Sequence, residues 1–189
     1  MFILLVALCI SEDPISGGWQ TISANSEQLK PVKSFLDRNL HHLFPEMKEK
    51  YYSIKLAKIQ IVNGMNVKLV IKSKPAHLLF EISLFVDHEQ KVTITDIIKL
   101  PSARPTIGGF NWENPERLTA QNLDHLVDLI QTKVNLLIKK PCTAILYRKQ
   151  LVNGVKTHFV FRDANQNLFS AVIVTNANEE KVELVYAIY

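Results

Sequence analysis

Apolar residues recur at helical spacing in two stretches of the chain. Leu29, Val32, Leu36, Leu40 and Leu43 fall three or four apart, which puts them on one helix face. Pro31 sits near the first turn, where its missing N–H costs little, and Pro45 ends the run. Farther on, Leu123, Leu126, Val127, Ile130, Val134 and Leu137 make a second stripe, with Thr119 as its N-cap and Pro141 beyond its end. After each stripe the period drops to two. Val67, Leu69 and Ile71 alternate with Asn66, Lys68 and Val70, and Val182, Leu184, Tyr186 and Ile188 alternate with Glu183, Val185, Ala187 and Tyr189. Such alternation predicts strands with one buried face. Four strands are expected after each helix, at about 51–61, 65–73, 77–86 and 91–100, then at about 143–151, 155–163, 167–175 and 181–188. The expected fold class is α+β, with each half an antiparallel sheet packed over one helix.

The halves are also alike letter by letter. QIVNG at 60–64 returns as QLVNG at 150–154, an offset of 150 − 60 = 90. Lys91-Val92 and Lys181-Val182 keep that offset, as do Leu78 and Leu168, while Gly17-Gly18 and Gly108-Gly109 lie 91 apart. A single one-residue gap therefore aligns two copies of one unit. All six glycines, Gly17, Gly18, Gly64, Gly108, Gly109 and Gly154, belong to repeated motifs. Glycine serves where φ is positive or where backbones approach closely. Asn63-Gly64 and Asn153-Gly154 read as two-residue hairpin turns, built on a dipeptide that supplies positive φ cheaply. The chain divides into a leader at 1–11, a first unit at 12–100, a linker at 101–106 holding Pro101 and Pro105, and a second unit at 107–189.

Composition narrows the function. The chain has 189 residues, 47% hydrophobic and 21% charged, which suits a folded domain and not a disordered one. Its net charge is +4, but Lys and Arg are scattered, so no basic face marks a nucleic-acid partner. The apolar run from Phe2 to Ile10 reads as a cleaved signal peptide, too short to span a bilayer as a helix. That places the mature chain outside the cell or in the endomembrane or lysosomal lumen, with the cytoplasm as the alternative. Cleavage would remove Cys9 and leave Cys142 alone, so no internal disulfide is expected, which is unusual for a secreted chain. Adjacent His41 and His42 point to different helix faces and do not have metal-ligand spacing. Cys142 with His158 downstream is weak support for a nucleophile. No phosphate loop, paired-cysteine metal motif or nucleophile elbow occurs. No catalytic residue, metal or cofactor is expected. Trp19 and Trp112, which follow the glycine pairs, are expected to pack on the first strand of each unit.

QxVxG begins 43 residues after the first glycine of its pair in one copy (60 − 17) and 42 in the other (150 − 108). Paired glycines, a helix and a QxVxG hairpin in that order resemble the cystatin family of cysteine protease inhibitors. The resemblance covers nearly all of the chain after the leader, as two tandem copies. DHEQKVTITD at 87–96 looks like the second hairpin and last strand of stefins, the cystatins without disulfides. The resemblance implies two cystatin-like domains, each a sheet wrapped over one helix. It also implies reversible, non-covalent inhibition of papain-like, cathepsin-type cysteine proteases by a wedge of trunk, QxVxG hairpin and second hairpin. The implied contacts are Gly17, Gly18, Gln60, Ile61, Val62, Asn63, Gly64 and His88 in the first copy. In the second they are Ile107, Gly108, Gly109, Gln150, Leu151, Val152, Asn153 and Gly154. Secreted cystatins carry Pro-Trp in the second hairpin, whereas this chain has Asp87-His88-Glu89 and Asn176-Ala177-Asn178. That departure predicts a weaker third contact, most of all in the second copy. A monomer with no nucleic-acid or membrane partner is expected. Two alternatives keep the fold: a metallocarboxypeptidase inhibitor, against which the retained hairpins argue, and a cathelin-like membrane-active carrier. The second would want a basic amphipathic tail, and the chain ends in KVELVYAIY.

Overall fold

A hydroxyl cap stands at the head of each helical segment, directly for the second helix and through a preceding turn for the first. In the computed structural model, which describes residues 17–45, 47, 52–73, 78–100 and 110–188, a short 3-10 turn at Glu27–Leu29 leads into helix α1, Lys30–Leu43. Ser26 caps the turn, its hydroxyl accepting from Gln28 N at 3.3 Å. Helix α2, Ala120–Val134, is capped by Thr119, whose hydroxyl accepts from Asn122 N at 3.3 Å. The stripe predicted α2 as far as Leu137, but the helix stops sooner. Asn135 takes the left-handed conformation at φ 53 and returns its N–H to Gln131 O, which closes the last turn. Leu137 is left 77% exposed beyond it. The leader, the linker and Ile107, Gly108 and Gly109 lie outside the described residues.

Each helix is preceded by one short strand and followed by four long ones. Strands β1 (Gln20–Ile22), β2 (Tyr52–Val62), β3 (Gly64–Ser73), β4 (Leu79–Val86) and β5 (Val92–Lys99) form one antiparallel sheet in sequence order. Strands β6 (Asn111–Glu113), β7 (Thr143–Val152), β8 (Gly154–Arg162), β9 (Leu168–Thr175) and β10 (Glu180–Ile188) form the other. The architecture is α+β: two antiparallel sheets with one helix each. The repeat extends to an irregularity. The β2–β3 register slips between Ile54 and Leu56, and the β7–β8 register slips between Ala144 and Leu146, a shift of 144 − 54 = 90. The residue left over is exposed Lys55 in one sheet and buried Ile145 in the other.

That exchange of Lys for Ile reflects how the halves stack. One face of the first sheet, with Ala57, Ile59, Val67, Leu69, Ile71, Phe80, Ile82 and Leu84, covers α1 residues Val32, Leu36, Leu40 and Leu43. Its other face shows Lys58 opposite Lys68, with Ser83 next in register. The second sheet packs Tyr147, Phe159, Phe161, Phe169, Ala171 and Ile173 with α2 residues Leu123, Val127 and Ile130. Its opposite face is buried as well: Leu146, Val160, Leu168 and Ile188 join the core of the first half, beside buried Arg148, His158 and Ser170. Strands β8 and β9 are therefore buried on both faces, where alternation in a half-buried strand predicts only one. Helix α1 lies between the two sheets. It buries Phe35 and Asn39 outside the predicted stripe, and His42 stacks on Tyr186 of β10 with ring centroids 4.2 Å apart.

The seam holds buried polar groups. Arg148 is fully buried, its guanidinium 5.0 Å from the Phe44 ring centroid, 4.7 Å from Phe110 and 5.6 Å from Trp112. Its Nε donates to His158 Nδ1 at 2.9 Å, and His158 Nε2 donates to Ser170 Oγ at 3.0 Å. Burial, and then the Arg148 charge, hold the His158 imidazole well below its ordinary pKa, so the ring is neutral. Arg162 Nη2 donates to Ile94 O across the same seam. No described helix is long and apolar enough to cross a membrane.

Candidate functional site

The first QxVNG segment closes the β2–β3 hairpin. Val62 pairs with Gly64, so the tip is centred on Asn63. This corrects the expected Asn-Gly turn: only Gly64 has positive φ, at 116, and Asn63 does not. Packing explains the glycine as much as φ does. A Cβ on Gly64 would sit 2.6 Å from Phe85 Cζ and 2.7 Å from Val86 O, because the neighbouring strand β4 crosses directly beside it. The second hairpin repeats the geometry, with Val152 paired to Gly154 at φ 114, where a Cβ would press on Thr175 O.

Three separate segments meet at the first tip. Gln60 Nε2 donates to Gly17 O at 2.7 Å, which ties the trunk to the hairpin. Asn66 Nδ2, in β3 opposite Gln60, donates to Gln60 Oε1 at 2.9 Å. His88 Nε2 lies 2.7 Å from Asn63 Oδ1, which ties the β4–β5 loop to the tip. That loop is itself fixed by Asp87, whose Oδ1 accepts from Glu89 N and Lys91 N, both at 2.9 Å. Ile61 and Val62 are left 45% and 43% exposed at the end of this edge. The structure thus brings together Gly17, Gln60, Asn63 and His88, four of the residues that the resemblance implies. Asn66 was not among the expected residues. Its signal was its place in the strand partner, six residues from Gln60 across the tip.

The second edge has a similar outline and different wiring. Leu151 and Val152 are exposed at its tip, Leu151 to 79%. Gln150 is half-buried beside it. Lys156 stands opposite Gln150, where Asn66 stands in the first copy, and its Nζ meets Glu183 Oε2 at 2.6 Å. The β9–β10 loop closes on itself, with Asn176 Oδ1 accepting from Asn178 N and Glu179 N, each at 2.9 Å. Ile107, Gly108 and Gly109, expected as its trunk, lie outside the described residues.

The two edges face away from one another. Ile94, near the hairpin end of β5, meets Arg162, at the hairpin-distal end of β8. A cleft of about 720 Å³ repeats that relation, with Gln90 and Lys91 on one wall and Gln166 and Asn167 on the other. At the distal end of the first sheet, Phe80 touches Phe44, which reaches Trp112 beside β7. The sheets therefore run head to tail.

Other candidates divide. Trp112 packs at the seam, as expected, but Trp19 is 43% exposed, with Lys68 Nζ 5.3 Å from its ring centroid. It departs from the packing role because, among the described residues, no layer covers the first sheet's outer face. Cys142 is a thiol whose pKa burial pushes up to about 11, with Asp163 and Asp124 adding to the shift. Its Sγ lies 3.8 Å from Lys139 O, and both His158 nitrogens are engaged elsewhere, so the two make no nucleophilic pair. No group of three or more His, Cys, Asp or Glu with metal-holding geometry occurs among the described residues. Neither the protein-family models nor the curated proteins compared with this chain match it.

Proposed function

We propose that this chain is a reversible, non-covalent inhibitor of papain-like cysteine proteases, built as two tandem cystatin-like domains, and that it binds rather than catalyses. The observation that carries the reading is the first edge, where hydrogen bonds join the trunk at Gly17, the tip at Gln60–Asn63 and the loop at His88 into one surface with an apolar end. A surface already held in shape loses little conformational freedom on docking. Ile61 and Val62 each offer roughly 1.5–3 kcal/mol if fully covered by a cleft wall. The hairpin tip is not a free extended loop: it is paired strand up to Val62 and again from Gly64. The head-to-tail sheets favour two independent heads, since a protease on one edge would not meet a protease on the other.

The test is titration of papain with the full chain, because the halves share a core and are poor reagents on their own. Inhibition in the micromolar range or tighter is expected, and none at that concentration would sink the proposal. Val62→Asp and Val152→Asp, singly and together, assign the heads. Each should disable one edge through lost burial and a desolvated charge. A stoichiometry of two proteases per chain that falls to one with either change supports two heads.

A further inference from the structure

The Gln60 side chain holds two partners with the two ends of one amide. Its Nε2 reaches Gly17 O and its Oε1 receives Asn66 Nδ2. An amide is nearly symmetric in shape but opposite in polarity at its ends. Turned over, Gln60 would place its oxygen against Gly17 O, two acceptors face to face, and the trunk would lose its tether. Gly17 O, which can only accept, favours the nitrogen end, and Asn66 reinforces that orientation by meeting the oxygen end with a donor. We propose that Asn66 is a positioning residue: it sets the Gln60 amide so that the trunk is held at Gly17. The role in inhibition rests on the inhibitor reading above, whereas the role in holding the trunk does not. In the other half the aligned residue is Lys156 (156 − 66 = 90), whose ammonium is engaged by Glu183. The Asn66 relay, as an amide-to-amide contact behind the hairpin glutamine, is therefore described for the first edge, where it stands behind the trunk contact at Gly17.

Asn66→Asp in the full chain tests the relay through its pH profile. The carboxylate this change introduces can only accept, so it draws Gln60 Nε2 to itself and turns Oε1 toward Gly17. Near pH 4 the carboxyl regains a proton and with it a donor. At pH 7, amide hydrogen exchange in a peptide covering residues 17–20 should be about tenfold faster than in wild type, the scale of one lost neutral hydrogen bond. Papain inhibition by the first head, read in a Val152→Asp background, should weaken by about the same factor. Both should return toward the wild-type value measured at pH 4. Asn66→Ala should show the losses at both pH values without recovery. Unchanged exchange in a folded Asn66→Asp chain overturns the positioning role, as does a loss that does not recover in acid. Wild-type protein that fails to inhibit papain overturns the inhibitor reading instead, and the exchange experiment still decides the relay.

Discussion

Gly64 and Gly17 both hold positive φ, yet they answer to different constraints. Gly64 faces Phe85 and Val86 O at distances no Cβ tolerates, while Gly17 at φ 90 has nothing within 4 Å of where a Cβ would be. Gly64→Ala should therefore destabilise the fold by about 1–3 kcal/mol or more, from backbone strain plus overlap, read as a lower urea midpoint. Gly17→Ala should leave the midpoint nearly unchanged and act on inhibition alone, by turning the trunk away from Gln60. A fall in stability with Gly17→Ala would show that the trunk belongs to the fold and not to the edge. At this scale the sequence was a partial guide. QxVNG and the glycine pairs pointed to the edge, because their spacing recurs. Asn66 could not be found that way: its role depends on lying opposite Gln60, and the second copy has a lysine there.

The elements were read well where one physical signal decided them. Thr119 was legible as a cap, and its hydroxyl does satisfy a first-turn N–H, so Thr119→Ala should cost about 1 kcal/mol in thermal or urea unfolding. The end of α2 was misread because Leu137 continues the apolar period, while the decision lay with Asn135, a residue able to adopt the left-handed conformation. Helix α1 exposed a deeper limit of periodicity. Its leucine stripe was visible, but Phe35, Asn39 and His42 form a second line of buried or half-buried positions, facing a sheet more than a hundred residues away. Asn39 donates to Phe35 O at 3.0 Å, a bond within the helix that does not announce the distant sheet. The same distance explains why β8 and β9 were not foreseen as doubly buried.

At the scale of the molecule, the seam makes one cooperative body of two similar halves. Expressed alone, residues 110–189 would expose Leu146, Val160, Leu168 and Ile188 on one sheet face. That fragment should bind a hydrophobic dye and self-associate, and a monomeric fragment with a sharp thermal transition would contradict the shared core. The seam also sets an acid limit. The folded pKa of His158 lies below the unfolded value near 6.5, so the unfolded chain takes up more protons between the two values. The stability His158 lends is thus complete above about pH 6.5 and declines as pH falls below it, by up to about 1.4 kcal/mol per pH unit. His158→Gln, which can still accept from Arg148 and donate to Ser170, should flatten that part of the profile in urea titrations from pH 7 to 4.5. An identical slope would place the acid sensitivity elsewhere.

The outer faces of the stack carry one more consequence. The first sheet ends the molecule with Lys58, Lys68 and exposed Lys72, and α2 ends it on the other side with Gln121, His125, Asp128 and Thr132. Lysines sit at one terminus where the matching strand positions of the second sheet, Arg148 and His158, are sealed under aromatic rings. The two copies are therefore interchangeable as text but not as parts. Exchanged in the stack, so that the second sheet lay outermost and the first sheet lay against α2, the copies would present the second sheet's inner face to water and a lysine-bearing face to a helix. Extension to three units would demand a middle copy of a kind this protein does not contain, one with both a covered helix and an apolar outer sheet. The repeat here makes a closed pair, in which each copy is committed to its place in the stack.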